Sequence, residues 1–263
     1  MRPATSRPRR SSKLTDPGAW PEGVARHVLP RCGSTNTEAL NMAAHLSGPA
    51  WVMALEQTGA RGRRGRAWSM PAGNFAATLV QQPTAPAGEM ALYSFVAALA
   101  LHDALGAAGG PSARLALKWP NDVLLNGGKV AGILLESSGR GQEVSALAIG
   151  IGVNLAAAPP PEPDASFAPV SLRGETGMSV TPEEFLDLLA PAFAAWEIRF
   201  QAEGFAPIRD AFLARAARLG ETIVARTGTA ELTGRFDGID ASGALILTTA
   251  SGRQAVPAAE VFF

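Results

Sequence analysis

Between Lys118 and Glu136 the chain reads KWPNDVLLNGGKVAGILLE, two apolar runs hinged on Asn126-Gly127-Gly128. An Asn-Gly step supplies the positive φ angles that a two-residue hairpin turn demands, so this segment predicts two antiparallel core strands joined by a tight turn. LALKW before it and VSALAIGIGVN (Val144–Asn154) after it extend the same pattern. Earlier in the chain, VARHVLPRC (Val24–Cys32), WVMALEQT (Trp51–Thr58) and NFAATLVQQ (Asn74–Gln82) also read as strands. The expected class is therefore α+β, with a mixed or antiparallel sheet and helices on one face.

Three segments carry helical spacing instead. Ser34–Leu46 opens with Thr35 and Glu38 in a possible capping box. Met90–Leu105 is apolar enough to be a buried helix. Thr181-Pro182-Glu183-Glu184 places Thr at the N-cap, Pro at N1 and Glu at N3 of a helix with Phe185, Leu189, Phe193 and Trp196 on one stripe. From about Leu219 the pattern changes to short alternating runs broken by Gly and Asp, which predicts a small barrel of about five strands. These shifts divide the chain into a basic, unstructured lead-in at 1–20, a main domain at 21–217 and a barrel at 218–263. The longest Pro-rich loop, Ala158–Pro169, falls inside the main domain.

Composition removes several function classes. The 23 basic residues cancel the 23 acidic ones, which argues against a protein that coats nucleic acid. Cys32 is the one cysteine, so no internal disulfide forms, and it reads as a small buried apolar side chain. His27, His45 and His102 lack metal-ligand spacing. No apolar run reaches the length of a membrane span, and the basic N-terminus has no apolar segment behind it, so a cytoplasmic protein is expected.

The second informative segment is ARGRRGRAW, Ala60–Trp68. Four arginines (Arg61, Arg63, Arg64, Arg66) alternate with glycines between two strand-like runs, the pattern of a loop that closes on an anion. Lys118 ends an apolar run just before a rigid Trp-Pro-Asn-Asp corner, which points its ammonium out of a strand end.

With Ser34-Thr35-Asn36 ahead of them and Gly150–Asn154 behind, these two segments resemble those of the biotin protein ligases, and the GIDASGAL hairpin extends the likeness into the small C-terminal barrel. KWPND followed by K-x-AGIL is the most specific of the motifs. The resemblance implies a class II synthetase-like catalytic domain with an SH3-like C-terminal domain. It implies a two-step reaction with ATP, Mg²⁺ and biotin. The biotin carboxylate attacks the α-phosphate of ATP, and the resulting biotinyl-5′-AMP acylates a lysine on the biotin carboxyl carrier domain of acetyl-CoA carboxylase or a related acyl-CoA carboxylase.

By the same resemblance Lys118 is the main catalytic lysine, and Arg61 and Arg63, with the backbone of Gly62, line biotin and the adenylate phosphate. Ser34, Thr35, Asn36 and Gln57 would meet the ureido head of biotin, Gly132 with Ile133 and Leu134 its valeryl chain, and Asn154 the phosphates. Trp68 would help close the loop, Lys129 would reach the ATP phosphates, and Asp122 is a candidate Mg²⁺ contact, with no metal fixed by the protein alone. Both reactants of the first step are anions, so cationic side chains that offset their repulsion make physical sense. A glycine-rich loop is costly to order when empty, so it is expected to order on ligand binding.

Two departures from the family pattern stand out. Ala60 occupies a loop position that is usually Gly, and if that position needs positive φ the alanine costs about 1 kcal/mol. The roughly 20 residues ahead of the first strand are too few for the winged helix-turn-helix of repressor-type members, so no DNA binding is expected. The expected state is a monomer or weak homodimer. The rival readings are a lipoate or octanoate ligase or transferase of the same fold, and an RNA-binding module built on the Arg/Gly run.

Overall fold

The computed structural model describes residues 18–83, 86–140, 143–161, 167–257 and 259–262. Most of the expected lead-in at 1–20 and the middle of the Pro-rich loop lie outside these residues. Seven strands build the main sheet: β1 (Ala25–Leu29), β2 (Ala50–Ala54), β3 (Phe75–Gln81), β4 (Leu115–Lys118), β5 (Asp122–Leu125), β6 (Gly128–Arg140) and β7 (Glu143–Val153). Their spatial order is β1-β2-β3-β7-β6-β5-β4. β1 and β2 run parallel and every other neighbouring pair is antiparallel, so the sheet is mixed. The hairpin between β5 and β6 forms where Asn126 and Gly127 predict it, with φ of 51° and 89° and Leu125 paired to Gly128.

Period-two alternation gives the two faces of this sheet different chemistry. One face carries Trp51, Met53, Phe75, Leu79, Ile133, Leu147, Ile149 and Ile151, all in one buried core. The long helices α3 (Tyr93–Gly109) and α5 (Pro182–Glu203), with α6 (Phe205–Leu213), cover it. Edge-to-face ring pairs Trp51–Phe193 at 5.9 Å and Phe75–Phe185 at 5.1 Å lock α5 onto the strands. The helical span Ala87–Ser112, which includes the short α2 (Ala87–Ala91), is long and apolar enough to cross a membrane, yet 67% of its most apolar 18-residue stretch is buried in this core.

On the opposite face, Ala50, Val52 and Val80 pack against Ala39 and Ala43 at and just beyond the short α1 (Thr35–Met42). Beyond α1 the same face presents Thr78, Gly150, Gly152, Gly132, Asp122 and Lys118, which the strand registers place side by side. The chain therefore leaves a floor of glycine and polar side chains where the other face has large apolar ones.

Two local expectations need correction. The cap of α1 is Ser34, and Thr35 is already the first helical residue, so no capping box forms between Thr35 and Glu38. Thr35 instead spends its hydroxyl on neighbouring side chains. Cys32 is half-buried, not buried, because its bridge with Gln57 lies at the rim of the sheet. The capping box of α5 does form: Thr181 Oγ1 accepts from the Glu184 N–H at 3.2 Å, and Glu184 accepts from the Thr181 N–H at 2.9 Å.

After α4 (Leu172–Thr176), α5 and α6, the chain forms β8 (Thr222–Arg226), β9 (Glu231–Ile239), β10 (Leu245–Thr249), β11 (Gly252–Val256) and β12 (Glu260–Phe262). They make an antiparallel sheet in the order β11-β10-β9-β8-β12, the SH3-like C-terminal domain. Its buried Ile223, Phe236 and Leu245 are continuous with the main core. Trp119 also donates its indole N–H to the Gly243 carbonyl at 3.0 Å. At Gly243, with φ of 85°, a Cβ would lie 2.9 Å from the Phe95 ring, so only glycine lets the two units approach so closely.

Candidate active site

The polar face of the sheet forms the floor of a cavity of about 480 Å³. All the residues singled out from the sequence line it: Ser34, Thr35, Asn36, Gln57, Arg61, Gly62, Arg63, Trp68, Lys118, Asp122, Lys129, Gly132 and Asn154. One wall comes from the start of α1, one from the Arg/Gly loop, one from the Pro-rich loop and one from the start of β12. Among the described residues, six cationic side chains (Arg61, Arg63, Arg64, Arg66, Lys118, Lys129) face two carboxylates, Asp122 and Glu260. The volume suits a small organic ligand and the charge suits an anionic one.

The Arg/Gly loop is a hairpin. Trp68 N–H donates to the Ala60 carbonyl at 3.0 Å and Gly62 N–H to the Arg66 carbonyl at 2.8 Å. The tip falls on Arg64 and Gly65, with φ of 58° and 72°. Ala60 does not adopt positive φ, so the strain considered for an alanine there is absent from this conformation. Arg61 lines the cavity and is anchored at its wall: its guanidinium donates to Glu136 Oε2 at 2.9 Å and to Thr37 Oγ1 at 3.1 Å. Arg66 reaches across to the C-terminal sheet, where Nη1 and Nη2 each meet a Glu260 oxygen at 2.7 Å. Arg63 is the arginine directed inward, 3.4 Å from Asn121 Oδ1. Burial pushes its pKa down from the ordinary arginine value, with the charge of Asp122 acting in the other direction.

Trp68 lies on the glycine floor. A Cβ on Gly152 would come within 2.8 Å of its ring and one on Gly132 within 3.3 Å. Gly150 plays the same part for Asn36, whose amide oxygen occupies the space a Cβ would need. These glycines serve close approach of a side chain to a flat sheet surface, not turn geometry.

Lys118 is 5% exposed, an uncommon depth for a lysine. Burial lowers its pKa, and Asp122, with Oδ2 at 3.5 Å, partly restores it. Lys129 meets the other Asp122 oxygen at 2.8 Å, so this carboxylate holds both lysines. The Phe167 ring, from the Pro-rich loop, sits 4.7 Å from the Lys118 ammonium. Asn154 ties that loop to the sheet: it donates to the Val170 carbonyl at 3.0 Å and accepts from Asn74 at 3.3 Å.

At the far end, Gln57 Oε1 accepts from the Thr35 backbone N–H at 2.8 Å and lies 3.1 Å from the Thr35 hydroxyl. Thr78 bonds to Thr35 Oγ1 at 2.9 Å and to Asn36 Oδ1 at 2.6 Å. Thr78, Glu136, Glu260 and Phe167 were not singled out from the sequence. Glu136 had a readable signal, since alternation along β6 puts it on the same face as Gly132 and Leu134. Glu260 had none, because its partner Arg66 lies 194 residues away.

A mixed sheet whose bare, polar face carries a cation-lined pocket under an Arg/Gly hairpin is the architecture of an acid-activating ligase. Residues 28–154 match the Biotin/lipoate A/B protein ligase family and residues 219–263 the Biotin protein ligase C terminal domain. The chain is 68% identical over 242 residues to a biotin--[acetyl-CoA-carboxylase] ligase of Paracoccus denitrificans, covering 90% of this chain and 99% of that one. It is 31% identical to the bifunctional ligase/repressor BirA of Escherichia coli over 86% of this chain and 70% of the relative. Among solved structures, the Aquifex aeolicus biotin protein ligase with biotin and ATP superposes with a TM-score of 0.76 at 24% identity, over 90% of this chain and 97% of that one. The Leishmania major enzyme with biotinyl-5-AMP gives 0.62 at 25% identity, over 89% and 99%. The chain belongs to the biotin protein ligase family.

Proposed function

We propose that the protein is a biotin--[biotin carboxyl-carrier protein] ligase. The observation that carries the reading is the buried Lys118 in a cation-lined pocket, beside an inward Arg63 and opposite a polar cluster of Thr35, Asn36 and Gln57. In the first step the biotin carboxylate attacks the α-phosphate of ATP and pyrophosphate leaves. In the second, a carrier lysine amine attacks the acyl carbon of biotinyl-5′-AMP and AMP leaves. Lys118 and Arg63 stabilise the negative charge that builds on the phosphate and acyl oxygens. Thr35, Asn36 and Gln57, with Ser34, receive the ureido head. The apolar chain runs along the cavity beside Trp68, whose ring rests on Gly132 and Gly152. Lys129 and Asn154 face the nucleotide phosphates.

Mg²⁺ would travel on those phosphates. Among the described residues no cluster of three metal-ligating side chains exists. Both carboxylates that line the cavity are already engaged by cations, Asp122 by two lysines and Glu260 by Arg66. A cation held mainly by phosphate oxygens and water fits the coordination habits of magnesium. The polar cluster around Thr35 favours a ureido acid over lipoate or octanoate, whose chains offer no N–H or C=O to pair with it.

The acceptor is the carrier domain of a biotin-dependent acyl-CoA carboxylase such as acetyl-CoA carboxylase, met in the cytoplasm. The test is intact-mass spectrometry of that carrier domain after incubation with the protein, biotin, ATP and Mg²⁺. One biotinyl addition is expected, lost when the acceptor lysine is arginine or when EDTA is present. Addition of lipoyl in place of biotinyl would move the protein to the sister activity.

A further inference from the structure

We infer that Glu136 is a positioning residue for the biotin headgroup, acting as a fixed acceptor that sets the polarity of the hydrogen bonds around it. The inference rests on the reading of the site as a biotin pocket. Glu136 sits on β6 on the same face as the glycine floor, paired across the ladder with Ala148. Its Oε1 accepts from Arg61 Nε and Nη2, both at 3.1 Å, and its Oε2 from Arg61 Nη2 at 2.9 Å and Asn36 Nδ2 at 2.8 Å. Arg61 continues to Thr37, so one carboxylate joins β6, the start of α1 and the Arg/Gly hairpin. These three elements wall the end of the cavity that holds Thr35 and Gln57.

An ionised carboxylate accepts only, and that property propagates. Glu136 and the Leu134 carbonyl, at 3.2 Å, together take both amide hydrogens of Asn36. The reversed amide would set Oδ1 against two acceptors, so Oδ1 is held toward Thr78. Oδ1 can only accept, so Thr78 spends its one hydroxyl hydrogen there, at 2.6 Å. In the 2.9 Å contact between the two hydroxyls, Thr78 then has nothing left to donate. Thr35 must therefore donate its hydrogen within the network, to Thr78 or to Gln57, and its free lone pair is what faces the cavity. Among the described residues Gln57 Nε2 has only a 3.7 Å contact with Met70 Sδ, so it keeps a donor for the ligand. An acceptor from Thr35 beside a donor from Gln57 matches a cyclic urea, which offers N–H beside C=O.

The experiment measures KM for biotin and for ATP by ATP–pyrophosphate exchange in wild type, Glu136→Gln, Arg61→Gln and the double variant, with thermal melts alongside. Glutamine keeps the shape but turns one of the two acceptor oxygens into a donor that faces Asn36 or Arg61, and it removes the charge facing Arg61. The KM for biotin is expected to rise about tenfold in each single variant, with the KM for ATP moving less than twofold. The double variant is expected to be no worse than the poorer single by more than about twofold, since both act through one network. A biotin KM within twofold of wild type, an equal rise in both KM values, or additive losses would overturn the proposal. Should position 136 tolerate no change, Asn36→Asp, which swaps the donor for a second acceptor, carries the same expectation. Wild type that exchanges with no biotin at all would instead refute the functional reading.

Discussion

Arg66 of the Arg/Gly hairpin and Glu260 of the last strand face each other through two 2.7 Å charge-assisted hydrogen bonds, with Arg64 a further cation 3.8 Å from the same carboxylate. The contact joins the loop that roofs the cavity to the C-terminal domain, so that domain takes part in closing the site. The hydrogen bonds from Arg66 hold the Glu260 carboxyl below its ordinary pKa. We expect Glu260→Ala to free the hairpin: trypsin cleavage after Arg63, Arg64 and Arg66 should quicken several-fold, and hydrolysis of biotinyl-adenylate without carrier should increase. Biotin with ATP should slow the cleavage in wild type, as expected of a glycine-rich loop that orders on its ligand. Equal cleavage of variant and wild type would show that the clasp does not hold the loop.

The glycine floor makes a second prediction. Gly152→Val places branched carbons where the Trp68 ring lies, so the ring must be displaced from the floor. The biotin KM should rise at least about tenfold, and Trp68 fluorescence should lose its response to biotin. An unaltered response would show that the ring does not rest on this strand when biotin is bound.

The depressed pKa of Lys118 has consequences for activity and for stability. A catalytic ammonium is lost as pH rises through its pKa, so the alkaline limb of activity should fall below that of an ordinary lysine. Asp122→Asn removes the charge and hydrogen bond that raise this pKa and should move the limb further down. For folding the sign is opposite to that of a lysine stabilised by a partner. The folded pKa lies below the unfolded value of 10.5, so the unfolded chain binds more protons between the two. The penalty of burying the ammonium is present in full below the folded pKa and is relieved as pH rises through that interval. Lys118→Met should therefore stabilise the fold at neutral pH while it abolishes exchange, which urea melts of the two proteins would check.

A purely structural prediction serves as a control. Thr181→Ala breaks the capping box of α5 and should cost about 1 kcal/mol of stability with no change in either KM. A shift in KM for biotin or ATP would mean that α5 reports to the site.

The strands and the hairpin at Asn126-Gly127 were legible in the sequence because each rests on short-range pattern, alternation and turn residues, whereas the gathering of Lys118, the Arg/Gly loop and Ser34-Thr35-Asn36 in one site was implied by the resemblance to the biotin protein ligases. What each cation faces was not legible. Arg61, which lines the cavity, also pairs with Glu136, 75 residues on, a partner that no local pattern announces. Arg66 finds its partner Glu260 only where the fold brings β12 against the hairpin. Thr35 looks like a helix cap by spacing, yet one residue of offset gives that post to Ser34 and turns Thr35 toward Gln57 and Thr78. Why Gly150, Gly152 and Gly132 must be glycine was not legible, since the side chains that need the space, Asn36 and Trp68, come from distant segments. Tertiary pairing of charges and close packing across the sheet are long-range facts, and no local period encodes them.

ATP–pyrophosphate exchange driven by biotin, lipoate or octanoate, with Mg²⁺, in wild type and Lys118→Ala, tests the central claim most directly. The account predicts exchange with biotin alone and its collapse in the variant. Exchange driven by lipoate or octanoate, or full biotin-dependent exchange without Lys118, would contradict it.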